Sequence, residues 1–99
     1  MDVSDNKAVA ECFEQTSKEG GDVDIIINCA GIVTSYKTFD KQNITDIERT
    51  ININTVAPMN IALQALPGMI ARDKGHICNI ASAAGMLSNP KMSVYVASK

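Results

Sequence analysis

This sequence has no overall surplus of positive charge: nine Lys and Arg stand against eleven Asp and Glu, a formal net charge of −2 with a pI near 5.2. Without a basic stripe there is little to neutralise a phosphate backbone or to settle on an anionic lipid surface, so neither nucleic acid nor a membrane is an expected partner. The apolar runs are far shorter than a bilayer span, and Met1 is followed by Asp2 instead of a charged-then-apolar leader, so a cytosolic protein is expected. Cysteine is scarce. Cys12, Cys29 and Cys78 are odd in number and lack the spacing of a zinc site or a disulfide framework, and are read as reduced thiols. The single histidine, His76, follows Gly75 at the head of a strand with no Ser/His/Asp or metal-ligand partner, and is read as structural. Repeats, linkers and low-complexity segments are missing too. What is present is 99 residues at 45% hydrophobic, enough for the modest core of one domain or part of one.

Within that frame the pattern alternates helix and strand. Ser4 is a candidate N-cap; Ala8, Val9, Cys12 and Phe13 form an apolar stripe at helical spacing and Gly20-Gly21 is a stop, which predicts a surface helix over 5–18. Residues 23–27 are short, β-branched and continuously apolar after Asp24, as expected of a central parallel strand covered on both faces. Asn28-Cys29-Ala30-Gly31 closes that strand at its carboxyl end. Residues 44–72 read as mainly helical, starting near Thr45 or Asp46. A second apolar strand spans 76–80, a loop of small residues with Asn89-Pro90 spans 81–92, and a helix opens at Ser93. Short strands separated by helices imply right-handed crossovers and an open, doubly wound parallel sheet of the α/β class. Ligands of such sheets bind outside the carboxyl ends of the strands, where Asn28–Gly31 and Ala81-Ser82 are expected to face one crevice.

Three residue types at the end of the chain suit carbonyl/alcohol redox chemistry. Tyr95 and Lys99 are four residues apart, so in a helix from Ser93 an ammonium stands one turn from a phenol, and a nearby cation favours the phenolate form. Ser82, thirteen residues before Tyr95 and at the end of a strand, could hold a substrate oxygen while the phenol gives or takes its proton. Each has a plain alternative: a half-buried helix tyrosine, a solvated lysine, a serine capping its own turn. Ser88 and Ser93 are rivals to Ser82. Asn54 precedes Pro58 by four residues, so its carbonyl lacks the usual helical donor and is open to a water; alternatively Pro58 merely marks the first turn of a helix. Asn52 is the rival asparagine, on a different helix face. Met59, Met69, Met86 and Met92 are read as core and pocket filling, with Met86, Leu87 and Met92 placed to line an apolar substrate site.

In order along the whole chain, these residues resemble the short-chain dehydrogenase/reductase family of NAD(P)-dependent oxidoreductases, with its Rossmann-like fold. The quoted segments are Asp2-Val3, the Asn28-Cys29-Ala30-Gly31 turn, Ile53-Asn54-Thr55, Leu66-Pro67-Gly68-Met69, the run from Gly75 to Ser82, and Tyr95 with Lys99. The resemblance implies that Asp2 and Val3 contact the adenine of NAD or NADP, that Asn28, Ala30 and Gly31 steady the sheet and line the cofactor, and that Asn54, Ser82, Tyr95 and Lys99 form the catalytic tetrad. Tyr95 would be the general acid/base, and Lys99 would also bind the ribose hydroxyls. Cys29 departs from the family's second asparagine in the turn. The family's Gly-rich phosphate loop and its C-terminal substrate segment have no counterpart in the sequence. Residues 1–99 are therefore expected to be the central part of one NAD(P)-binding domain, holding only central strands and flanking helices, and inactive alone. Its parent is expected to act on a small alcohol or carbonyl compound and, by analogy, to form homo-oligomers. Two other readings stand beside this one: a truncated, non-catalytic fragment acting as an association module, and a sugar-nucleotide epimerase of the extended group, against which the Asn-x-Ala-Gly turn argues.

Overall fold

The computed structural model describes all 99 residues, Met1–Lys99. The elements are α1 (Asn6–Gly20), β1 (Ile25–Asn28), α2 (Ile44–Ile51), α3 (Ala57–Ala71), β2 (His76–Asn79) and α4 (Ser93–Ser98), with single 3-10 turns at Phe39–Lys41 and Ala83–Met86. They divide between two compact units, one of Met1–Cys29 and Ala57–Ile80, the other of Ala30–Val56 and Ala81–Lys99. No helix is long and apolar enough to cross a membrane.

In the first unit β1 and β2 pair in parallel, from Ile25 opposite His76 to Asn28 opposite Asn79, and Ile80 extends the ladder by donating its N–H to the Asn28 carbonyl at 2.9 Å. Strand period places Ile26 on the face that α1 and α3 cover, where it meets Ala65 and Met69 in a cluster bordered by Phe13, Val23, Ile61 and Ile77. Burying side chains of this size contributes about 1.5–3 kcal/mol each. The opposite face corrects the expectation of a strand covered on both sides: Ile25 and Ile27 are 66% and 65% exposed. An unbroken apolar run describes a strand built to be covered twice, but which faces are covered depends on the helices present, and α1 and α3 serve one.

Local chemistry shifts several boundaries. Asp5, not Ser4, caps α1, its Oδ1 accepting from the N–H groups of Lys7 and Ala8 at 2.9 and 3.2 Å. Ser4 instead gives both its N–H and its hydroxyl to Asp2 Oδ1, at 2.9 and 2.8 Å. At the far end of α3, Asp73 takes a left-handed φ of 50° while Lys74 N–H reaches back to the Met69 carbonyl at 3.0 Å, a closed C-terminal turn that satisfies an orphan acceptor. Arg72 and Lys74 beyond it fasten the entry to β1: Arg72 donates to the Val23 carbonyl at 3.1 Å and pairs with Asp22 at 3.2 Å, and Lys74 donates to Asp24 Oδ2 at 2.6 Å. The Lys74 hydrogen bond first, then the charges of Lys74 and Arg72, hold the Asp24 carboxyl below its ordinary range against some desolvation.

In the second unit α2 starts at Ile44, one or two residues earlier than expected, because Asn43 caps it by accepting from Asp46 N–H at 2.8 Å. The helix does not run uniformly into α3. Asn52–Val56 form a π-helical segment, so the long predicted helix is α2, a widened turn and α3. Pro58 lies two residues past this segment, and its nitrogen has no hydrogen for the Asn54 carbonyl four residues back. Thr50, 1% exposed, donates to the Asp46 carbonyl at 2.7 Å and therefore accepts from Thr34 at 2.9 Å, tying the loop after Gly31 to α2. Helix α4 packs on α2 and on the Ala83–Met86 turn.

Candidate active site

Asn54 is the organising side chain of the second unit. It is 7% exposed, whereas its rival Asn52 faces solvent. Its Oδ1 accepts the Ile32 N–H at 2.8 Å, and its Nδ2 donates both to the Ile32 carbonyl at 2.9 Å and to Ser98 Oγ at 2.8 Å. The amide thus mimics a strand neighbour for Ile32 and pins the loop that begins at Ala30-Gly31. Thr55, next along the π-helical segment, donates to the Ser98 carbonyl at 3.0 Å, so two successive side chains fasten this segment to the last turn of α4.

Tyr95 lies in α4 and Lys99 is the C-cap that follows it, both half-buried, one turn apart. A methyl built on Gly31 would stand 3.5 Å from Asn54 Oδ1 and 3.7 Å from Lys99 Nζ, which places the ammonium, the amide and the open glycine backbone around one point. Ser82 caps the Ala83–Met86 turn, its Oγ accepting from Ala84 N–H at 3.2 Å. That bond uses a lone pair and leaves the hydroxyl proton to be donated. Within the same turn, a methyl on Gly85 would lie 3.0 Å from the backbone carbon and oxygen of Lys99, so the glycine lets the Ser82 turn and the end of α4 approach closely. The rival Ser88 is exposed. Met86 and Leu87 are 90% and 66% exposed and Met92 is half-buried.

The remaining sequence candidates belong to the first unit. Asn28, 8% exposed, uses its Nδ2 to donate to Asn79 Oδ1 at 2.8 Å, joining the carboxyl ends of β1 and β2 side chain to side chain. Cys29 beside it is exposed. Asp2 is exposed with its Oδ1 engaged by Ser4, and Val3 is half-buried. A shallow hollow of about 460 Å³ in this unit is lined by Leu66, Met69, Ile70, Asp73, Lys74, Gly75 and Ile77, none of them a candidate. No cluster of His, Cys, Asp and Glu could hold a metal ion.

The family described as short chain dehydrogenase matches residues 1–99. The chain belongs to the short-chain dehydrogenase family. Dehydrogenase/reductase SDR family member 7B of Rattus norvegicus is 38% identical over 100 residues, covering 100% of this chain and 30% of that protein. The solved structure of serine dehydrogenase from Escherichia coli superposes with a TM-score of 0.91 at 32% identity, covering 99% of this chain and 45% of that one. That of a gluconate 5-dehydrogenase from Burkholderia cenocepacia, in complex with NADP and tartrate, has a TM-score of 0.92 at 29% identity, covering 100% and 38%. The chain thus spans less than half the length of these relatives. Its parallel strands and flanking helices are part of the Rossmann fold of short-chain dehydrogenases.

Two residues that bond to candidates, one in each unit, escape a reading of the sequence. Asn79 has a legible signal, since both strands end in asparagine and parallel register puts them side by side. Ser98 lies in the spacer between Tyr95 and Lys99, and only the packing of α4 against the π-helical segment brings its hydroxyl to Asn54.

Proposed function

We propose that the protein carrying these residues is an NAD- or NADP-dependent oxidoreductase that interconverts a small alcohol and its carbonyl partner, with Tyr95 as the general acid/base. The observation that carries this reading is the convergence of Asn54, Lys99 and the Gly31 backbone around one point, with Tyr95 on the helix that Lys99 caps and Ser82 on the turn packed against that helix. The donor set fits the ribose end of a nicotinamide cofactor: an ammonium and an open glycine backbone suit vicinal hydroxyls on a flat ligand. The cofactor, when bound, supplies or accepts the hydride at the carbonyl carbon.

The chain's own groups do the rest. Ser82 hydrogen-bonds the substrate oxygen through its hydroxyl, keeping its proton, and orients that oxygen. Tyr95 delivers its phenolic proton to that oxygen in reduction and removes it in oxidation. Lys99 holds the ribose hydroxyls and sets a positive charge one turn from the phenol. Asn28, Ala30 and Gly31 keep backbone available along the cofactor, and Asp2 with Val3 serves its adenine end. Asn54 keeps the Ile32 loop fixed by its side chain, while its carbonyl, opposite the missing Pro58 donor, is the place for a water that passes the proton to solvent.

We further propose that residues 1–99 are the central part of a single larger nucleotide-binding domain. The exposed face at Ile25 and Ile27 supports this, because a doubly wound sheet carries helices on both sides. The test is a titration of the full-length protein with NADH and NADPH, followed by their absorbance, against a panel of short aldehydes, ketones and alcohols. Cofactor-dependent turnover of at least one pair is expected; binding and turnover absent throughout would leave a non-catalytic association module as the better account.

A further inference from the structure

We propose that Ser98 is a positioning residue for the redox site, its hydroxyl locking the Asn54 amide and the peptide of Tyr95 into one frame. The proposal rests on the oxidoreductase reading given above. Ser98 is 7% exposed, the most buried polar residue of α4, and its Oγ makes two bonds of defined direction. It donates to the Tyr95 carbonyl at 2.7 Å. Having spent its only proton there, it can meet Asn54 solely as an acceptor, and Asn54 Nδ2 lies 2.8 Å away.

That proton order decides which way the amide of Asn54 is turned. With Nδ2 committed to Ser98 and to the Ile32 carbonyl, Oδ1 is left facing the Ile32 N–H, so all of the amide's hydrogens are used and a flipped amide would oppose oxygen to oxygen at two places. Thr55 adds a second tie by donating to the Ser98 carbonyl at 3.0 Å. The result is a bridge from the Tyr95 peptide through Ser98 and Asn54 to the Ile32 loop, every member of it buried or half-buried. Removing the hydroxyl strands one hydrogen of Asn54 and one lone pair of the Tyr95 carbonyl, and frees the phenol-bearing turn to shift against the loop that flanks Gly31.

The test uses the full-length protein with Ser98→Ala, Ser98→Cys and Ser98→Thr. Cysteine keeps the size while offering a weak acceptor, and threonine keeps the hydroxyl. Two quantities are read: kcat with its pH profile, and the hydrogen-exchange rate of the Asn54 side-chain amide by nitrogen-15 NMR. Alanine and cysteine are each expected to lower kcat about tenfold, inside the roughly hundredfold cost of misplacement by an ångström, with cofactor Kd unchanged and Asn54 exchange about tenfold faster. Threonine is expected to restore both. Should the alanine variant fail to fold, the cysteine variant carries the same comparison. A fall in melting temperature with kcat, pH profile and Asn54 exchange at wild-type values would overturn the proposal, as would a loss of kcat with Asn54 exchange unmoved. If the wild type itself shows no turnover, the oxidoreductase reading fails and the Asn54 exchange rate alone decides whether Ser98 positions that amide.

Discussion

Asn54 and Asn52 are two residues apart, chemically identical and opposite in consequence. Asn54 satisfies both backbone groups of Ile32 from a buried position, so replacing it by alanine leaves a donor and an acceptor without partners and is expected to cost about 1–3 kcal/mol. Asn52→Ala, at an exposed position, is expected to stay within about 0.5 kcal/mol, as surface substitutions do. Denaturant unfolding of the two variants checks this; equal losses would contradict the assignment. The sequence distinguishes the pair only as lying on different helix faces. Which face is buried is set by Ile32 and Ser98, neither of which has a pattern of its own. Tyr95, Lys99 and Ser82 are singled out by their spacing together with the family resemblance, whereas Ser98 meets Asn54 through a contact 44 residues distant in sequence.

Among the elements, the widened turn at Asn52–Val56 lies beside a proline whose part in it can be tested by removal. Pro58→Ala restores an N–H opposite the Asn54 carbonyl, and a regular α-helical bond there is expected to form. The new amide at position 58 should then exchange slowly in hydrogen-exchange NMR; rapid exchange would mean that proline is not what holds the turn open. The order of helices and strands is legible throughout, because apolar period and β-branched runs are local properties. The boundaries shift by a residue or two where capping decides them, as Asp5 and Asn43 do. The π-helical segment sits where the missing donor of Pro58 is legible, but the missing donor predicts a free carbonyl and not the particular widening that accommodates it.

For the molecule as a whole, Arg72, Lys74, Asp22 and Asp24 link the entry of β1 to the end of α3 across the surface of the first unit. The Asp24 carboxyl is depressed below its ordinary 3.8, so its contribution to stability is complete above that value and is lost as pH falls through the lower folded one. Melting temperature is therefore expected to drop more steeply below pH 4 in the wild type than in Asp24→Asn; parallel curves would contradict this linkage. The whole-molecule feature least legible in sequence is the uncovered face of β1, since Ile25, Ile26 and Ile27 look alike and only Ile26 is covered. The proposed site rests on Asn54, Ser82, Tyr95 and Lys99, and its central claim has a direct test. In the full-length protein, cofactor affinity and steady-state NAD(P)H turnover are compared between wild type and Tyr95→Phe. An unchanged cofactor Kd with kcat lowered by about 10²–10⁴, the contribution of a positioned acid/base, is predicted; turnover equal to wild type would contradict the role of Tyr95 and with it the account of this site.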